Sequence, residues 1–164
     1  MIDMKKFFRK KSALEKRMQR YQMKRREDVD GMEFAYSFVG SDKKKYTTKW
    51  TTDNDGIDVT IDRTEAGTAL YLRLVNRNWL LTSINVQETL RSGFGTAMML
   101  TLFEIITEKT DINTIEGNFV PALDNPDHVL NFYESFGGYK DKKKIIEFEF
   151  DGERQKFKYF IKRK

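Results

Sequence analysis

Arg91-Ser92-Gly93-Phe94-Gly95-Thr96-Ala97-Met98-Met99 is the stretch on which the fold of this chain turns. Two glycines, one residue apart, stand where the polar loop Gln87 to Ser92 gives way to a strongly apolar run. That run holds Ala97, Met98, Leu100, Leu102, Phe103, Ile105 and Ile106, too many for a surface helix, so it is expected to pack hard against a sheet. Glycines at a helix start remove the Cβ atoms that keep a ligand away from the backbone. The amides there lack intrahelical partners and point outward at the positive end of the dipole. Such a turn binds a phosphate or pyrophosphate, and Arg91 adds a charged donor. The same two glycines also suit close helix–strand packing. The Rossmann fingerprint wants a third glycine where Met98 stands, and the Walker loop wants Gly-Lys-Ser/Thr; neither is present.

Upstream, alternation predicts strands at Glu33 to Val39, Tyr46 to Thr52 and Ile57 to Ile61, then Thr68 to Val75 and Trp79 to Val86 as a hairpin. Downstream, Asp111 to Asn113 ends the apolar helix, and Thr114 to Val120 reads as a strand. Strand, loop, helix and strand in that order make a unit expected to form a right-handed parallel crossover. A second helix is predicted from Asp127 to Phe136, closed by Gly137-Gly138. Two alternating strands finish the chain, Ile146/Phe148/Phe150 and Phe157/Tyr159/Ile161.

The 164 residues fit one domain with a short appendage. With no cysteine and a single histidine, His128, there is no disulfide framework, no cysteine nucleophile and no multi-histidine metal site. No apolar run approaches the roughly 20 residues of a membrane span, and Met1 to Lys11 lacks the apolar core of a secretory signal, so a soluble, cytoplasmic protein is expected. Charge is uneven. Residues 1–26 carry +9 and the remainder −4. Ser12-Ala13-Leu14-Glu15 reads as a capping box opening a cationic helix with a narrow stripe of Leu14, Met18 and Tyr21, stopped by Asp30-Gly31. Residues 1–30 are therefore expected as a basic helical segment, and 31–164 as the main domain. Residues 1–26 read either as a solvated cationic helix or as a polyanion contact, with nucleic acid or a ribosome as the partner class.

At this point the chain resembles a family. A buried strand ending in Val86, then Arg91-Ser92-Gly93-Phe94-Gly95-Thr96 opening an apolar helix, is similar to motif A of the GNAT N-acetyltransferases. Val129-Leu130-Asn131-Phe132-Tyr133-Glu134-Ser135-Phe136-Gly137-Gly138-Tyr139 is similar to their motif B. The likeness covers roughly residues 32–164 and departs from the family pattern at Leu90, with Arg91 one place later. It implies an α/β (α+β) fold: a mixed, mostly antiparallel sheet of six or seven strands, flanked by helices and splayed at its centre. It implies acetyl-CoA as donor, its pantetheine arm paired along Ile84, Asn85 and Val86. The pyrophosphate would lie on Arg91, Ser92, Gly93, Phe94, Gly95 and Thr96, with Asn125 nearby. Tyr133 matches the tyrosine that protonates the departing thiolate, a reasonable task for a phenol of pKa near 10 in a dry pocket. Glu116, on the strand after motif A, is the candidate base, with Glu88 as another. The acceptor is an amine, on a small molecule or a protein, and nothing between Met32 and Arg77 identifies it.

Overall fold

The computed structural model describes residues 10–29, 32–61, 70–75, 79–85, 93–118, 126–141 and 144–163. Among them are three helices, α1 (Ala13–Arg20), α2 (Phe94–Lys109) and α3 (Pro126–Glu134). Eleven strands accompany them: β1 (Lys24–Val29), β2 (Met32–Val39), β3 (Lys45–Thr47), β4 (Lys49–Asp53), β5 (Gly56–Ile61), β6 (Leu70–Val75), β7 (Leu80–Asn85), β8 (Thr114–Asn118), β9 (Lys140–Asp141), β10 (Lys144–Asp151) and β11 (Lys156–Arg163). They form two sheets. The large one runs β4-β5-β6-β7-β8-β11-β10-β9, seven strands plus the two-residue β9, and the small one runs β1-β2-β3. All pairings are antiparallel except β7 with β8, which are parallel and joined through α2. The expected mixed, mostly antiparallel architecture is present, with an additional small sheet.

That small sheet explains α2. A helix with one apolar face sits on a surface; one that is apolar all round needs partners on both sides. Twelve of the sixteen residues of α2 are buried, because β5 and β6 cover one side and β2 the other. From β2, Phe38 meets Phe94 edge-on at 5.2 Å. At the corner between β3 and β4, Thr48 is buried, shares a 2.8 Å hydroxyl contact with Thr101 of α2 and accepts the Tyr36 amide. The predicted strand Tyr46 to Thr52 is thereby divided, β3 going to one sheet and β4 to the other. On the large-sheet side Phe103 packs against Phe136 and Tyr159. Burying one such ring stabilises the fold by about 1.5–3 kcal/mol.

The amino-terminal segment differs most from expectation. Ser12 does cap α1, its hydroxyl accepting the Glu15 amide at 3.1 Å. The helix, however, stops at Arg20, eight residues long, and Gln22 at φ +50° turns the chain into β1. Lys24–Val29 pairs along β2, with Val29 opposite Met32, so the helix has ended well before Asp30-Gly31, which lie outside the described residues. Within the described part of the segment, Leu14, Tyr21 and Met23 are buried in the same core as α2 and the large sheet.

Candidate functional site

The crossover places the two sequence motifs together. Gly93 caps α2 at φ +91°, in the left-handed region, and offers no side-chain hydrogen bond to the first-turn amides. A Cβ on Gly93 would sit 2.8 Å from the Tyr21 ring and 3.2 Å from the Met23 methyl. A Cβ on Gly95 would come within 3.2 Å of Phe132. Both glycines therefore permit close packing, Gly93 under the turn between α1 and β1, Gly95 under α3. This use is compatible with ligand contact, since the amides of a first turn point along the helix axis and not sideways.

Tyr133, beside Phe132 on α3, is half-buried. Its ring stacks on Phe157 at 4.3 Å, and its carbonyl accepts the Tyr159 hydroxyl at 2.7 Å. Phe157 lies in turn over Gly117 of β8, where any Cβ would overlap the ring. Tyr133 thus sits above the β8–β11 pair, on the face that carries α2. Burial holds the Tyr159 phenol well above its ordinary range, with the nearby Tyr133 adding to the shift.

Below this layer the parallel ladder is short. Among the described residues it comprises Leu80 with Glu116 and Leu81 with Gly117, preceded by the Glu116 amide bonding to the Trp79 carbonyl at 3.1 Å. On its other edge β7 changes register against β6: Leu74 faces Leu81 while Arg73 faces Ser83, leaving Thr82 as an extra residue. A bulge bends the strand that carries it. Here the bend falls where pairing with β8 ends, and the backbone of Ile84 and Asn85 continues beyond it.

Glu116 is not brought to Tyr133. It alternates with Ile115 and Gly117, so it lies on the opposite face of the large sheet, 3.4 Å from Lys158. Val86, Glu88, Arg91, Ser92 and Asn125 lie outside the described residues, as do the cations of residues 1–9. The described part of the turn is Gly93, Phe94, Gly95 and Thr96.

Sequence reasoning overlooked two groups. Arg17 donates from Nε to Thr96 Oγ1 at 3.0 Å and from a terminal nitrogen to Ser135 Oγ at 2.5 Å. Its guanidinium stands over Phe132 and Phe136, at 5.5 and 5.6 Å. One side chain thereby ties the first turn of α2 to the end of α3, two residues past Tyr133. The signal was available: Leu14, Arg17, Met18 and Tyr21 follow the i, i+3, i+4, i+7 spacing of one helix face, which puts this arginine on the apolar stripe. The second group is centred on Glu104, fully buried on α2. Its carboxylate receives Lys144 Nζ and the Tyr36 hydroxyl (3.2 Å), with Arg25 at 3.0 Å; Arg25 also reaches Glu108 at 2.7 Å. Burial, then Tyr139 and Glu104, push the Tyr36 phenol far above its ordinary range. For Arg25 burial pulls downward, but Glu104 and Glu108 outweigh it and the net shift is upward. A glutamate within the fully buried, apolar stretch of a helix announces such a cluster, since buried charges need partners.

No family model, no curated protein and no solved structure matches this chain. No helix among the described residues is long and apolar enough to cross a membrane, and no cluster of three or more metal-ligating side chains occurs among them.

Proposed function

We propose that this chain is an acetyl-CoA-dependent N-acetyltransferase with a GNAT-type fold. The observation that carries this reading is the β7–α2–β8 crossover. Its parallel ladder ends at Leu81, beside a bulge, while the helix between the strands opens at Gly93 and packs through Gly95 against the Tyr133 helix. An extended pantetheine arm fits a strand edge whose amides and carbonyls face a gap, as an added strand would. The pyrophosphate belongs on the first-turn amides of α2. In the reaction the neutral amine nitrogen attacks the thioester carbonyl carbon, the C–S bond breaks, and the thiolate takes the Tyr133 hydroxyl proton. The proton that the acylated nitrogen must shed passes to solvent, from which the Tyr133 phenolate is reprotonated.

The position of Glu116 argues that deprotonation of the acceptor does not run through that carboxylate. An amine that arrives neutral, or loses its proton to water, leaves most of the rate to positioning. Isothermal titration with acetyl-CoA tests the donor assignment, with binding expected at a Kd below about 100 μM. Absence of heat, together with no thermal stabilisation at roughly 1 mM acetyl-CoA, would sink it. Gly93→Glu is unsuited as a binding control. Its positive φ and the Tyr21 ring make it a folding lesion first. Amine acceptors are then sought by release of free CoA thiol across a panel of small amines and peptide amino groups.

A further inference from the structure

The small sheet has two faces of opposite character. Toward α2 it presents Met23, Phe34, Tyr36 and Phe38, all buried, and Arg25 on Glu104. The alternate residues Lys24, Arg26 and Lys45 are exposed on the other face. Register sets them on one face: Arg26 stands opposite the buried Ala35, Lys24 opposite the half-buried Ser37 and through it Thr47, and Lys45 opposite the half-buried Val39. Exposed Arg20, ending α1, and Lys43, before β3, flank the patch. Among the described residues Lys24, Arg26 and Lys45 form no ion pair, whereas Arg17 and Arg25, equally basic in the sequence, point into the core. The cationic run along β1 ends at Arg26, before Glu27 and Asp28.

From this we infer that the outer face of β1-β2-β3 docks on the phosphate backbone of a nucleic-acid duplex. At the usual strand spacing and rise, Arg26 and Lys45 are about 16 Å apart. Over that length a duplex carries roughly nine phosphate charges, so three cations find partners without deforming it. Between them Ser37 and Thr47 supply hydroxyl donors of the kind that contact phosphate oxygens. Single strands are held mainly by stacking on aromatic rings, and the described residues of this face include none. Membrane surfaces are held by basic segments with large exposed apolar side chains to insert, whereas the apolar residues on this face are the buried Ala35 and the half-buried Val39. The inference stands apart from the acetyltransferase reading, since it uses none of the same residues.

Fluorescence anisotropy with a labelled duplex of roughly 20 base pairs, titrated from about 50 to 300 mM salt, tests it. Relative to the natural chain, Lys24→Gln/Arg26→Gln/Lys45→Gln is expected to reduce the slope of log K against log salt by about 2.7, and affinity near 0.1 M salt by on the order of 10²–10³-fold. Lys10→Gln/Lys11→Gln/Lys16→Gln removes the same charge elsewhere and is expected to change the slope by less than about 1. Lys24→Arg/Arg26→Lys/Lys45→Arg keeps the charge and is expected to keep the binding, which separates lost contacts from lost folding. Deleting residues 1–26 is no substitute, because it removes α1 and half of β1. The proposal is overturned by equal losses in the two glutamine variants or by no duplex binding at the lowest salt. Tighter binding of a single strand of the same length, or of phosphatidylserine vesicles, overturns it as well.

Discussion

Removing the Glu104 carboxylate is the perturbation whose size the structure fixes best. Glu104 is 0% exposed, and three donors from three elements meet on it: Arg25 from β1, Tyr36 from β2 and Lys144 from β10. Glu104→Leu leaves the volume nearly unchanged but takes this shared acceptor from a lysine side chain that is itself only 4% exposed. Breaking a buried pair from one side costs about 3–5 kcal/mol. For a chain of this size that is a fall in Tm of about 6–20 °C. Lys144→Met alone is expected to cost less, since Glu104 keeps Arg25 and Tyr36. The double variant Glu104→Leu/Lys144→Met is expected to be more stable than Glu104→Leu, with a coupling energy above about 1 kcal/mol. Urea unfolding followed by tryptophan fluorescence gives all four corners of the cycle. Measured at about 0.05 and 0.5 M salt, the coupling should change little, because buried pairs are poorly screened. A Glu104→Leu loss below about 1 kcal/mol, or strict additivity, would refute the claim that this cluster ties β1, β2 and β10 to α2.

Other expectations follow from the same geometry. Tyr133→Phe should lower kcat by about 10²–10⁴-fold while leaving acetyl-CoA affinity within about threefold, as seen by single-turnover and titration measurements; loss of binding with kcat intact contradicts the assigned role. Arg17→Lys keeps a charge but not the fork that spans Thr96 and Ser135, and should increase hydrogen exchange across α3 with a global stability change of about 1–2 kcal/mol. Exchange that is unchanged in α3 shows that this tie is dispensable. Gly93→Ala should cost about 1–3 kcal/mol in chemical denaturation, from the positive φ and the Tyr21 contact together. Tyr36 and Tyr159 have raised pKa values in the folded state, so the folded form holds their protons more tightly than the unfolded one. Their contribution to stability is fully present below the unfolded value of about 10 and is lost as pH rises beyond it. Urea midpoints should therefore hold level up to about pH 9 and fall above about pH 10, and Tyr36→Phe should flatten that decline.

What the linear chain determined by itself was local and periodic. The alternation of Ile57, Val59 and Ile61, and of Phe157, Tyr159 and Ile161, gives β5 and β11, because a period of two has only one regular solution. The Gly93–Thr96 turn and the apolar run after it give the start and length of α2, and Asp127 to Phe136 gives α3 to within two residues at its end. In the folded chain those two helices meet where Gly95 lies against Phe132.

Tertiary structure decided the rest. Lys24 to Val29 has no propensity against helix; it becomes a strand because β2 needs an edge partner over the otherwise uncovered side of α2, a demand not written in those six residues. Long-range packing likewise separates chemically identical side chains. Arg17 and Arg25 go inward to Thr96 and Glu104, while Lys24 and Arg26 go outward, so a +9 segment resolves into a core clamp and a surface. Glu116 shows the same principle on a strand: its residue type suggested a base, but alternation across β8 sets it on the face away from Tyr133. Charge and residue type are fixed by the sequence, whereas the partner of each charge is set by which distant element folds over it.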